Sequence, residues 1–135
     1  MRIFHLHSGG VQELGALPTQ APAQGFVWIA CTRTALQAQL PAVQNALQAL
    51  AGVQLVDLHV SDLLNAQLPS HYDYTSQYDL LVFRRLASAA PGSDATGTDA
   101  SGSAPARGGP PVLRRIDTSP VGFAVFDQVL LTVHP

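Results

Sequence analysis

The sequence predicts an α/β fold: a mixed parallel and antiparallel sheet with helices packed on its faces, in a single domain. Two patterns carry that expectation. Arg2–His7, Phe26–Cys31, Tyr78–Leu86 and Val121–His134 show either strict alternation or β-branched and aromatic runs, the signatures of strands. Between them, Leu36, Leu40, Val43, Leu47 and Leu50 step by four, three, four and three, which places them on one helical stripe. Strands on both sides of a helical stretch imply a sheet that buries itself against that helix.

Taken in order, Ile3, His5 and His7 alternate with Arg2, Phe4 and Leu6, giving a first strand. Ser8-Gly9-Gly10 is a turn, followed by a short strand at Val11–Leu14, and Leu17–Gly25 holds two prolines and is a loop. The helix that follows can be capped by Thr32 or Thr34 and is ended by Gly52. Pro41 interrupts its pattern. Either the helix begins near Leu40 with Pro41 in its first turn, or it begins at Thr34 and kinks. Val53–Leu58 has strand character but also suits a connection between helices.

Ser61 can cap a second, short helix, with Asp62 in its first turn, Leu63 and Leu64 on its buried side and Pro69 as its stop. His71–Gln77 reads as a turn or an edge. Tyr78–Leu86 has Leu80, Val82, Arg84 and Leu86 on one side and Leu81, Phe83 and Arg85 on the other, so it is expected to be covered on both faces for most of its length. Val112–Ile116 is a further strand candidate. Val121–Phe126 and Val129–His134 form an antiparallel hairpin about Asp127-Gln128.

Residues 87–111 differ in kind. Of these 25 residues, 22 are Ala, Ser, Thr, Gly or Pro, too little apolar surface to offset the entropy of ordering them. A flexible, low-complexity insertion between two sheet strands is expected. The chain as a whole is 47% apolar and long enough for a core. All seven basic residues are arginines against nine acids, so there is no basic footprint for nucleic acid and no polybasic membrane patch. No apolar run approaches the ~20 residues needed to span a bilayer. Cys31 is the single cysteine, which excludes an internal disulfide.

Enzyme chemistry has little to rest on, and none is expected. Phosphate-loop, dinucleotide and serine-hydrolase motifs are absent, and Glu13 is the sole glutamate. Cys31 follows a buried strand and reads as a small core residue. His5 and His7 share a strand face at a spacing that can chelate a metal, with His134 as a third ligand in a small hydrolase reading; an edge strand that tolerates histidine is the plainer one. His59 and His71 flank the short helix without ligand spacing. Asp94 and Asp99 sit in a Gly/Ser/Thr stretch without the alternating ligands of a calcium loop and read as solvated acids.

The stretch Val60, Asp62, Leu63, Leu64, Asn65, Gln67, Pro69, Tyr74, Tyr78 and Leu80–Leu86 resembles the N-terminal cytoplasmic domain of the CorA-type magnesium and divalent cation transporters. Ser61 stands where that family usually has Glu, Leu68 where it has Arg, and one extra residue precedes Tyr78. Phe26-Val27-Trp28-Ile29 is similar to the family's early strand, and Val121–His134 to its closing strand pair. The resemblance covers most of the chain outside residues 87–111. It implies a cytoplasmic regulatory and funnel domain of a homopentamer at the inner membrane, with the membrane helices after Pro135. It also implies a role for Asp62 as a ligand of a regulatory Mg²⁺ or other divalent cation, with a partner acid on the helix that would follow. The ordinary reading of Asp62 is a first-turn acid. The alternative function is a stand-alone α/β binding module without a transport role.

Overall fold

The computed structural model describes residues 1–86 and 118–135. Seven strands form one sheet in the order β2-β1-β3-β7-β6-β5-β4. They are β1 (Arg2–His7), β2 (Gly10–Leu14), β3 (Phe26–Thr32), β4 (His71–Tyr74), β5 (Asp79–Leu86), β6 (Thr118–Val125) and β7 (Val129–His134). Only β3 and β7 pair in parallel, from Val27 opposite Val129 to Thr32 opposite His134; the other five pairings are antiparallel. The expected insertion at 87–111, the strand at Val112–Ile116, and Asp94 and Asp99 lie outside the described residues.

Helix α1 (Arg33–Ala51) starts directly from the end of β3. Thr32 caps it, its side chain accepting from the Ala35 N–H at 3.1 Å, and Gly52 closes it in the left-handed conformation at φ 72°. The helix kinks at Gln39 (φ −118°, ψ 19°), two residues before Pro41. Of the two readings of Pro41, the kinked helix is therefore the one adopted. A proline ring cannot accept the carbonyl of the preceding turn, so the backbone opens there. Leu36, Val43, Leu47 and Leu50 are buried, as their spacing predicts, and Ala46 joins them. Residues 53–56 are a connection rather than a strand. The Gln44 side chain holds it like a strand partner, donating to the Leu55 carbonyl at 2.9 Å and accepting from the Leu55 N–H at 2.8 Å.

Helix α2 (Asp57–Leu64) corrects the expectation most. It begins four residues before Ser61, behind Val56, which makes no side-chain cap. Asp57, not Asp62, is its first-turn acid, and the helix ends at Leu64, ahead of Pro69. Both helices lie on one face of the sheet. Their buried residues, Leu36, Val43, Leu47, Leu50, Val60 and Leu63, share one core with Val27, Ile29, Cys31, Leu80, Ala124, Leu131 and Val133. The opposite face carries Phe83 at 55% exposure, so among the described residues β5 is not covered on both sides as its composition predicts. Phe83 packs there edge-on against Phe123, with ring centroids 6.1 Å apart.

Leu63 seats α2 on β6 directly over Gly122, where a side-chain carbon on Gly122 would overlap the Leu63 methyl group. Leu63 is 3% exposed, so its methyl group would have to shift within the core. Gly122→Ala is expected to destabilise the protein by about 1–3 kcal/mol through this overpacking, read as a lower urea midpoint with an unchanged slope.

Candidate functional site

The seam between α2 and the edge strand β4 brings together two of the five histidines and two aspartates. β4 pairs with β5 so that His71 lies opposite Val82 and Asp73 opposite Leu80, both on the helix side of the sheet. α2 turns His59 and Asp62, three residues apart on one helix face, toward them. Each element thus supplies one histidine and one aspartate.

His59 is 2% exposed. Its Nε2 lies 3.0 Å from Asp73 Oδ2, and its Nδ1 lies 2.8 Å from the Tyr78 hydroxyl. An ionised carboxylate can only accept, so Nε2 carries the hydrogen and Nδ1 accepts from Tyr78. The same tyrosine oxygen accepts from the Val56 N–H at 3.0 Å. One phenol therefore ties the start of α2, its buried histidine and the start of β5 together. Burial of Tyr78 raises its pKa, which keeps the hydroxyl protonated and able to donate. The hydrogen bond from His59 holds the Asp73 carboxyl below the usual carboxylate range, and the Tyr74 N–H at 2.8 Å adds to it.

Asp62 and His71 meet at the other end of the seam. His71 Nε2 is 3.5 Å from Asp62 Oδ2, with the side chains 29% and 17% exposed. Arg84 fixes the approach to β4: its Nη1 donates to the Leu68 carbonyl at 2.9 Å, and its backbone N–H donates to Ser70 Oγ at 2.9 Å. Because α2 starts earlier than predicted, Asp62 stands in its last turn, at the negative end of the helix dipole. A carboxylate there gains nothing from the dipole, and a cation beside it does. The first-turn reading of Asp62 is thus replaced by a last-turn acid with His71 beside it.

The remaining candidates do not converge. His5 lies opposite Val27 on the helix side, at one end of β3, whereas His134 lies opposite Thr32 on the other face at the far end. His5 Nε2 is 2.8 Å from the Gln24 carbonyl, and His7 Nδ1 accepts from the Gly9 N–H at 3.0 Å. The three-histidine hydrolase reading thus has no common centre. His134 instead lines a groove on the open face with Phe83, Arg85, Val121 and Phe123. Cys31 is 3% exposed, and burial pushes its thiol up to about 11, far from a nucleophile's range. Sequence reasoning missed His59 and His71 as partners of the two aspartates. The available signal was one His and one Asp at helical spacing in 59–62, and one of each at strand spacing in 71–73.

Tyr78→Phe removes the acceptor of the Val56 N–H and the donor to His59 together, and is expected to cost about 1–3 kcal/mol in urea unfolding. Asp73→Asn tests the acid side. A depressed folded pKa contributes stability that is present above the unfolded value of about 3.9 and is lost as pH falls through the folded one. The variant is therefore expected to be less stable than the parent at pH 7, with the gap closing as both are titrated into strong acid.

No family model and no curated protein matches the chain. Among solved structures it is similar to the soluble domain of CorA from Methanocaldococcus jannaschii, with a TM-score of 0.54 and 14% sequence identity. The match covers 98% of this chain and 40% of that one, so the chain spans less than half the length of its neighbour. Among the described residues no helix is long and apolar enough to cross a membrane. The likeness, at this identity, establishes a CorA-like fold.

Proposed function

We propose that this chain is the cytoplasmic regulatory domain of a CorA-like divalent cation transporter, and that Asp62 is its ligand for a regulatory cation. The similarity of fold along almost the whole chain is the observation that carries this reading. The motif from Val60 to Tyr78 adds to it, since it builds the α2–β4 seam in which Asp62 stands. In this reading the domain performs no bond chemistry. It sits in a homopentameric funnel at the inner face of the membrane, and the membrane helices belong to the rest of the polypeptide.

The mechanism is linkage. Mg²⁺ or a similar cation bound at Asp62 is completed by water and by an acid from the next helix or a neighbouring subunit. Binding that is tighter in the closed assembly shifts the population toward closed as the internal cation rises. Moving a two-state equilibrium from 1:99 to 99:1 takes about 5.5 kcal/mol. Shared over five equivalent sites, each needs only about 1.1 kcal/mol, roughly a six-fold preference. Weak sites with few protein ligands are therefore sufficient, which suits a single, largely buried carboxylate.

The test is cation influx into proteoliposomes carrying the polypeptide that contains this domain. Asp62→Ala is expected to keep conducting at internal Mg²⁺ concentrations that close the parent. Equal closure of both would remove Asp62 from the gate, and absence of any divalent flux would remove the transport reading itself.

A further inference from the structure

The sheet face away from the helices presents apolar side chains to solvent. The register sets Asp79, Val125, Leu130 and Trp28 in one row across it, and Leu81 and Phe123 in the next. Phe83 is 55% exposed, and Tyr72 and Tyr74, stacked at 6.0 Å on the edge strand, are 59% and 68% exposed. Exposed apolar groups gathered in this way mark an interaction surface. Seven strands about 4.8 Å apart span roughly 30 Å, and six residues at a rise of about 3.3 Å cover roughly 20 Å. A face of that extent, about 600 Å² in projection, is of the order of the ~800 Å² per partner that a stable dimer buries.

The charges of the face say what fits it. Along β5 it reads Asp79, Leu81, Phe83, Arg85: an acid, two apolar side chains and a base, evenly spaced about Val82. The Tyr72 hydroxyl donates to Asp79 Oδ1 at 3.0 Å and holds the carboxylate beside the two tyrosine rings. Arg2 and Glu13, on the same face, pair with each other at 2.9 Å. Among the described residues neither Asp79 nor Arg85 has an ionic partner. A strand that runs from acid to base is complementary to its own inverted copy. We propose that this face docks a second copy of the chain about a two-fold axis that crosses β5 at Val82, so that Arg85 of each copy meets Asp79 of the other. The same rotation lays Leu81 over the other copy's Phe83, and Phe123 over its Val121. The arginine also comes to lie against the Tyr74 ring, a cation–π contact. An axis along the strands keeps each row opposite its own row and never brings Arg85 to Asp79. Two sheets packed face to face in this way form a sandwich about 10 Å deep. The contact is isologous and so does not by itself build a ring. It is therefore separate from any contact of a five-fold funnel, and it does not depend on the reading of Asp62, which lies on the helix side.

Sedimentation equilibrium of this chain tests the proposal, with a dimer expected at twice the 14.2 kDa of one copy. Arg85→Asp and Asp79→Arg each set like charges opposite one another at both ends of the interface, and each is expected to weaken the dimer at least ten-fold. Mixed in equal amounts, the two variants restore both ion pairs in a heterodimer, which is expected to form about as tightly as the parent dimer. That recovery does not follow from damage to the fold of either variant. A parent chain that stays monomeric at hundreds of micromolar overturns the proposal and leaves the face to another occupant, whether another part of the same polypeptide or a different protein. A dimer that is indifferent to both substitutions, or a mixture that fails to recover, overturns the two-fold arrangement.

Discussion

The parallel pairing of β3 with β7 is the constraint on which the rest depends. It is the single junction between a ribbon built from the first 32 residues, β2-β1-β3, and one built from the later chain, β7-β6-β5-β4. The residues that make it are among the most deeply buried: Val27, Ile29, Val129, Leu131 and Val133 on the helix side, with Thr132 on the other. Trp28 donates its indole N–H to Thr132 Oγ1 at 2.9 Å across the pairing, so even the open face of this junction is pinned. α1 runs directly out of β3 and packs its leucine stripe back over both strands. The α2–β4 seam is held at the far edge of this frame, and its geometry is only as fixed as the strands that connect it to the centre.

How much of this the sequence reveals varies from element to element for physical reasons. The strands and the α1 stripe are legible because burial imposes a period of two or of 3.6 on apolar residues. The start of α2 is not, because Val56 stands at its N-cap and offers no side-chain oxygen, while Ser61, a good cap by chemistry, lies in its interior. That four-residue displacement reverses the sign of the dipole felt by Asp62 and brings His59, expected only to flank the short helix, into its interior. The coverage of β5 is illegible for another reason. Leu81, Phe83 and Arg85 have the composition of a buried face, yet both helices of the described chain lie on the other side. Composition records that a face is apolar, not which segment covers it. The metal role proposed for Asp62 rests on a motif resemblance, and its contact with His71 emerges only once β4 is placed beside α2.

The seam itself shows how the same residue types are set to different tasks by their surroundings. Around His59, the Tyr78 hydroxyl and the Asp73 carboxylate satisfy both nitrogens of a buried ring, the Val56 N–H in turn holds the tyrosine oxygen, and the result is structural. Around His71, the partners of the ring among the described residues are Asp62 and a carbonyl, and both side chains keep access to solvent. A fully satisfied network makes the frame rigid.

Leu86, the last residue of β5, stands opposite Thr118, the first of β6, in an unbroken antiparallel register. The chain therefore leaves the sheet and returns to it at one place, whatever lies between. Closure entropy grows only with the logarithm of loop length, so cutting residues 87–117 down to a four-residue turn would change it by roughly 2 kcal/mol. For protein engineering this makes the β5–β6 end a natural insertion point. A reporter domain, an affinity tag or new chain termini placed there would hang from strand ends whose spacing the sheet already fixes. The α2–β4 seam would keep its strand pairing with β5 throughout.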